Sequence, residues 1–295
     1  MLMAVEETAS ATGKSSGETR ASFRGLVVAH VLLALSPLLA QAQIVPGGAN
    51  APGVINTANG IPQVNINRPS GAGVSMNTYS QFDVQKPGAI LSNSPTIVQT
   101  QQAGYINGNP NFSPGQSAGV IVNQLNSSAA SQINGYGEVA GARANVIIAN
   151  PSGISVNGGG FVNTARGTLT TGTPNFAPDG SVAGFNVTGG LITVQGAGLN
   201  ASNVDQVDLL ARAVQADAAI YAKNLNVVTG ANSVDYNTLA ATPIAGEGPA
   251  PGVSIDVSNL GGMYANAGET RDATSSGYNR IVADFLSQEE KKAAL

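Results

Sequence analysis

The residue types that most often carry chemistry are scarce in this chain. Its 295 residues include no Cys and a single His, His30. His30 sits in an apolar run near the start, so the chain beyond that run has neither thiolate nor imidazole. Ser-His-Asp and Cys-His catalysis need such a base, and the common zinc sites need such ligands. Carboxylate chemistry alone is left, and no cofactor, metal or catalytic residue is expected. Gly196-Ala197-Gly198-Leu199-Asn200-Ala201 follows the strand-like Leu191 to Gln195, with Asp217 further on, in the outline of a dinucleotide fingerprint. A chain with 37 Gly produces such spacings by chance, and the strand-helix alternation of a dinucleotide-binding sheet is missing elsewhere. Asp205 and Asp208 lack any calcium-loop or calcium-repeat surroundings and read as solvated carboxylates. Asn126-Ser127-Ser128, Asn186-Val187-Thr188 and Asn200-Ala201-Ser202 match the glycosylation pattern, a weak signal in an Asn-rich chain.

Two Asn-Pro pairs are more specific. In Asn109-Pro110-Asn111-Phe112 and in Asn150-Pro151-Ser152-Gly153-Ile154, the Asn side chain can cap a turn while Pro fixes the next φ. Each is expected to form a rigid corner at the surface.

The elements that must position these corners read as strands. Hydrophobic residues make up 42% of the chain and charged residues only 10%, a poor recipe for amphipathic helices and enough for a core. Val74 to Val84 alternates as a half-buried strand should, and Ala89 to Leu91, Val120 to Leu125 and Val146 to Ala149 are further strand candidates. Between Ala144 and Val194, apolar pairs separated by Gly, Asn or Pro come at short, steady intervals: Val146/Ile148, Ile154/Val156, Phe161/Val162, Phe185/Val187 and Ile192/Val194. Small polar corners and few long loops suit coils stacked into a β-solenoid, although no strict sequence period is present. Val204 to Ala222 fits both a helix face and strand alternation, so periodicity leaves that segment open. The stretch from Gln43 to about Asn67 suggests an extended edge strand or cap. A net charge of -4 leaves no basic field for phosphates, and no nucleic-acid partner is expected.

The two ends differ from the body. Arg20 and Arg24 precede an apolar run from Leu26 to Ala40, and Ala40-Gln41-Ala42 supplies small residues for signal peptidase, so residues 1–42 read as a Sec signal cleaved after Ala42. The run is shorter than the roughly 20 residues of a membrane span. Residues 267–295 carry a crowd of charges and read as a divergent tail, with Ile281 to Leu295 the best helix candidate in the chain.

Gly104-Tyr105-Ile106-Asn107-Gly108-Asn109-Pro110-Asn111, followed by Ala144 to Ile154, resembles the two-partner secretion domain of filamentous haemagglutinins and contact-dependent inhibition exoproteins. That family has an Asn-Pro-Asn-Leu motif followed by an Asn-Pro-x-Gly-Ile motif, and Phe112 stands here for the usual Leu. Ser92 to Thr96 and Gly159 to Thr164 also look like this family; the resemblance covers roughly Val45 to Asn266 and implies a domain over residues 43–266. It implies an all-β fold, a right-handed parallel β-helix with an amino-terminal strand cap and extra-helical hairpins. It implies export by Sec and then by a partner outer-membrane transporter, whose POTRA domains recognise Asn109 to Phe112 and Asn150 to Ile154. The product would be secreted or held at the surface of a Gram-negative bacterium, and an intact parent could reach host or neighbouring cells. By the same comparison the start looks like the latter part of an extended signal region, and the absence of a long shaft after Asn266 suggests a truncated product. The competing expectations are an adhesin that itself binds host glycan or protein, and a β-helix polysaccharide lyase or hydrolase. The second would need clustered charged residues, and here they are scattered.

Overall fold

The computed structural model describes residues 43–257, 262–272 and 279–281. Every regular element among them is a strand. The chain begins with a cap: β1 (Ile44–Pro46) lies antiparallel to β4 (Val74–Phe82), and β2 (Gly53–Asn56) antiparallel to β3 (Pro62–Asn65). From β3 onward the chain winds into coils that stack on one another with parallel pairing.

Each coil contributes to three faces. The next coil comprises β5 (Ala89–Asn93), a projecting hairpin of β6 (Val98–Thr100) and β7 (Gly104–Ile106), then β8 (Val120–Leu125) and β9 (Ser131–Ile133). It is followed by β10 (Tyr136–Gly141), β11 (Ala144–Ala149) and β12 (Ile154–Val156). Then come β13 (Gly159–Val162), β14 (Thr164–Thr170), the outlying pair β15 (Thr173–Phe176) and β16 (Val182–Val187), and β17 (Leu191–Val194). The later coils hold β18 (Leu199–Ala201), β19 (Gln206–Ala211), β20 (Ala213–Ala216), β21 (Ala219–Thr229), the outlying β22 (Asn232–Asp235) and β23 (Ala241–Pro243), and β24 (Ile255–Val257). β25 (Gly262–Asp272) and β26 (Asn279–Ile281) finish the described chain.

The parallel ladders define the faces. One runs β4, β8, β11, β14, β19 and the second half of β21. A second runs β3, β5, β10, β13, β18 and the first half of β21. The third runs β9, β12, β17, β20 and β24. Strands paired on both sides place all their backbone groups within the stack, and short Val- and Ile-rich segments suit such pairing.

The core fills the inside of the stack. Leu91, Ile121, Val146, Ile148, Ile154, Leu169, Ile192, Val207, Leu209, Leu225 and Val227 form one buried cluster that rises from coil to coil. A second cluster lies outside the first face. There the antiparallel sheet β15-β16-β22-β23 covers Val122, Ile147, Leu210 and Val228 with Val182, Phe185, Val187, Val234 and Tyr236. This second layer explains why strands such as β11 and β19 are apolar on both sides: neither side meets water.

The segment from Val204 to Ala222 is strand throughout its regular parts, in β19, β20 and the start of β21. Its alternation decides the structure because each strand finds parallel partners on both sides. β25 runs without interruption across residue 266, pairing with β21 from Ala219↔Gly262 to Thr229↔Asp272. The ladder thus continues past the boundary that composition suggests, since its hydrogen bonds come from backbone and are indifferent to side-chain charge. Ile281, expected as the first residue of a helix, belongs instead to β26, paired with Thr270 of β25. The remainder of that helix expectation, and the signal segment with Ala40 and Ala42, lie outside the described residues.

Candidate functional site, two asparagine-proline corners

Both Asn-Pro corners are tight turns, and their Asn side chains point into the wall. Asn109 is 1% exposed and Asn150 is 0% exposed. Asn109 Nδ2 donates to the carbonyls of Ile66 at 2.8 Å and Ser92 at 2.9 Å, while its Oδ1 accepts from the Asn111 amide at 2.9 Å. Asn150 Nδ2 donates to the Ala129 carbonyl at 3.0 Å and to Ser131 Oγ at 3.1 Å, while its Oδ1 accepts from the Ser152 amide at 3.0 Å. Each side chain therefore closes its own turn and clamps that turn to segments earlier in the chain.

The backbone repeats this arrangement. Asn109 N donates to Ser94 O at 2.7 Å, and Phe112 N donates to Asn109 O. Asn150 N donates to Thr170 O at 2.9 Å, and Gly153 N donates to Asn150 O. Gly153 has φ +114°, and a Cβ there would lie 3.0 Å from the Leu191 carbonyl oxygen, so the fourth motif position requires Gly. Phe112 and Ile154 are buried in the main core. Only Pro110, Pro151 and Ser152 are exposed, with Asn111 half-buried and donating to the Asn65 and Ile66 carbonyls. The expected surface corner is corrected in this respect: the turns lie at the surface, but their Asn, Phe and Ile side chains do not. A buried amide that lacked its partners would cost about 1–3 kcal/mol, which is why these side chains turn inward only where carbonyls await them.

The other sequence candidates resolve as structure. Gly196 and Gly198 have φ of +57° and +74° in the turn between β17 and β18, and a Cβ on Gly198 would lie 2.1 Å from the Ala219 oxygen. They serve close coil stacking. Asp205 is exposed and pairs with Arg143 at 2.9 Å and Lys223 at 3.3 Å, which hold its carboxyl below the usual range, Arg143 foremost. Asp208 corrects the expectation of a solvated carboxylate, being 0% exposed. It accepts from Arg166 Nε at 2.5 Å, Thr168 Oγ1 at 3.0 Å, Gln206 Nε2 at 2.9 Å and Asn226 Nδ2 at 2.9 Å. No group of three or more His, Cys, Asp or Glu that could hold a metal occurs among the described residues.

Sequence reasoning missed further groups that fix the projecting parts. Glu138, 3% exposed, accepts the Gln101 amide at 2.6 Å and the Gln102 amide at 3.0 Å, tying the β6–β7 hairpin to β10. Tyr236 covers the Arg166 guanidinium at 4.2 Å and accepts from Asn145 Nδ2 at 3.0 Å, tying the outlying sheet to β11 and β14. An acid between Val207 and Leu209, in a strand apolar on both sides, is the signal that could have marked Asp208.

A capped parallel β-helix whose repeated corners are clamps, and whose carboxylates sit in structural pairs, belongs to the class of stacked-coil scaffold modules. The family model described as the TPS secretion domain matches residues 42–292, and the chain belongs to this family of two-partner secretion domains. The chain is 59% identical over 279 residues to a "tRNA nuclease CdiA-2" of Burkholderia pseudomallei, covering 90% of this chain and 9% of that protein. It is 45% identical over 282 residues to a "Toxin CdiA" of Yersinia pestis, covering 90% of this chain and 8% of that one. It thus spans under a tenth of these relatives' length. Among solved structures, a filamentous hemagglutinin secretion domain aligns with a TM-score of 0.73 and 34% identity over 79% of each chain.

Proposed function

We propose that this module carries an exoprotein through the outer membrane by presenting itself to the periplasmic POTRA domains of a partner transporter, after Sec export and cleavage behind Ala42. Membership of the secretion-domain family supports a dedicated transporter, and relatives named as CdiA toxins support a parent protein of the contact-dependent inhibition kind. The role of the module is recognition and folding, not catalysis. Residues Asn109 to Phe112 and Asn150 to Ile154 act at two stages. In the unfolded chain they are open to the transporter, which reads extended backbone by strand addition. Outside the cell the same asparagines sink into the wall, and the stacked coils make return unfavourable.

The observation that carries this reading is the burial of Asn109 and Asn150 beside exposed Pro110 and Pro151. A side chain hidden in the folded product is available for recognition only before folding. The experiment is co-expression with a cognate transporter, following processed protein in periplasm and medium for Asn109→Ala, Asn150→Ala and Pro151→Ala. Trapping of the Asn variants in the periplasm, with signal removal intact, supports the reading. Secretion of all three at the wild-type level removes the corners from recognition.

A further inference from the structure

We infer that Asn107-Gly108 is a site of spontaneous covalent modification, an asparagine placed to deamidate and isomerise directly before the first Asn-Pro clamp. The reaction needs an electrophile and a nucleophile in adjacent residues. The Gly108 backbone nitrogen attacks Asn107 Cγ, a C–N bond forms, and Asn107 Nδ2 leaves as ammonia after the Gly108 nitrogen gives up its proton. Water then opens the five-membered imide at either carbonyl, giving aspartate or isoaspartate. No oxidant or reductant is involved. Gly in the second position leaves the attacking nitrogen unshielded by a side chain.

The chain offers four Asn-Gly pairs, and the structure distinguishes them. At Asn59, Nδ2 donates to Gln102 O and Oδ1 accepts from Thr57 Oγ1, and the Gly60 nitrogen donates to Thr57 O at 2.9 Å. At Asn157, Oδ1 accepts from the Ala197 amide and the Gly158 nitrogen donates to Gly198 O at 2.8 Å. In both pairs the electrophile and the nucleophile are held. Asn134 is half-buried and Gly135 beside it is buried, so the pair is withdrawn from water.

Asn107 differs from Asn59 and Asn157 in its side-chain amide and from Asn134 in its exposure, while Gly108, like Gly135, packs closely on neighbouring backbone, with the Pro95 oxygen 2.4 Å from where a Cβ would stand. It is exposed in the loop between β7 and the Asn109 turn. Among the described residues no hydrogen bond holds its side-chain amide or the Gly108 nitrogen; only its backbone carbonyl is engaged, by Gln63 Nε2 at 3.3 Å. The product has a consequence at the next residue. Isoaspartate lengthens the backbone by one atom and adds a charge, just before Asn109 N must reach Ser94 O and Asn109 Nδ2 must reach two buried carbonyls.

The test incubates the purified full chain at mildly alkaline pH and maps isoaspartate and aspartate by peptide mass spectrometry. A synthetic peptide of the sequence Gly104 to Asn111 serves as the unstructured reference. Conversion at Asn107 several-fold ahead of Asn59, Asn134 and Asn157 is expected, with loss of that signal in Asn107→Gln and a fall in Tm of the aged wild type that the aged variant does not show. An intact Asn107 under conditions that convert the peptide, or earlier conversion at any of the other three, overturns the inference.

Discussion

Arg166 Nε lies 2.5 Å from Asp208 Oδ2, and the Tyr236 ring closes over the guanidinium at 4.2 Å. The pair joins β14 to β19, with Asp208 fully buried and Arg166 mostly so. Asp208 has four donors, so its charge is well compensated, whereas the Arg166 Nη2 atom is buried without a partner.

This asymmetry leads to a prediction by double substitution. Asp208→Leu alone leaves an unpaired buried guanidinium and is expected to cost about 3–5 kcal/mol. Arg166→Met with Asp208→Leu removes both charges and should recover part of that loss, because the unpaired guanidinium is gone while Thr168, Gln206 and Asn226 still lack their acceptor. Urea unfolding of the wild type, the single and the double variant checks this. A double variant no more stable than Asp208→Leu would refute the account.

The Asn clamps predict a contrast within each corner. Asn150→Ala leaves the Ala129 carbonyl and Ser131 hydroxyl without their donor and should cost about 1–3 kcal/mol, and Asn109→Ala should cost a similar amount. Pro151→Ala acts only through chain entropy and should cost about 1 kcal/mol or less. Equilibrium unfolding separates the two classes, and equal losses at Asn150 and Pro151 would argue against the clamp.

How far the sequence revealed this architecture follows from particular residues. Val146, Ile148, Ile154 and Val156 announced strands because their alternation and corner residues are local. The Asn-Pro pairs announced turns for the same reason. What a local reading left open was which side of each turn faces inward, since the Ile66, Ser92 and Ala129 carbonyls that claim Asn109 and Asn150 lie 17 to 43 residues away in sequence. Asp208 looked solvated because the donors that claim it from other strands, Arg166, Thr168 and Asn226, lie 18 to 42 residues away in sequence. The charged stretch after Asn266 misled for a related reason: β25 pairs through its backbone, which composition does not report.

Glycine positions give a paired prediction on coil stacking. Gly198→Ala must place a Cβ at 2.1 Å from the Ala219 oxygen with φ at +74°, and is expected to cost more than about 1 kcal/mol. Gly137→Ala meets nothing within 4 Å on β10 and should be neutral or gain about 0.4–1 kcal/mol. Thermal unfolding of the two variants measures the difference. Similar melting temperatures would mean that the coils do not approach as closely as the Gly198 contact requires.

Tyr79 predicts how the fold responds to base. Its ring is fully buried against Phe82 at 4.9 Å, and its hydroxyl donates to Asn123 Oδ1 at 2.9 Å. Burial holds the phenol well above its ordinary value of 10.0. A folded value raised above the unfolded one means that the stability contributed by the neutral phenol is fully present below pH 10.0. It is then lost as the pH rises through the folded value. Stability should therefore decline above about pH 10, where the unfolded chain can ionise and the folded core cannot. Tyr79→Phe removes that decline but strands the buried Asn123 oxygen, so it should be less stable than the wild type by about 1–3 kcal/mol at neutral pH. Its stability curve should be flatter in base. Unfolding free energies of the two proteins, measured from pH 7 to pH 11.5, decide the matter; parallel curves would show that Tyr79 does not govern the alkaline limit.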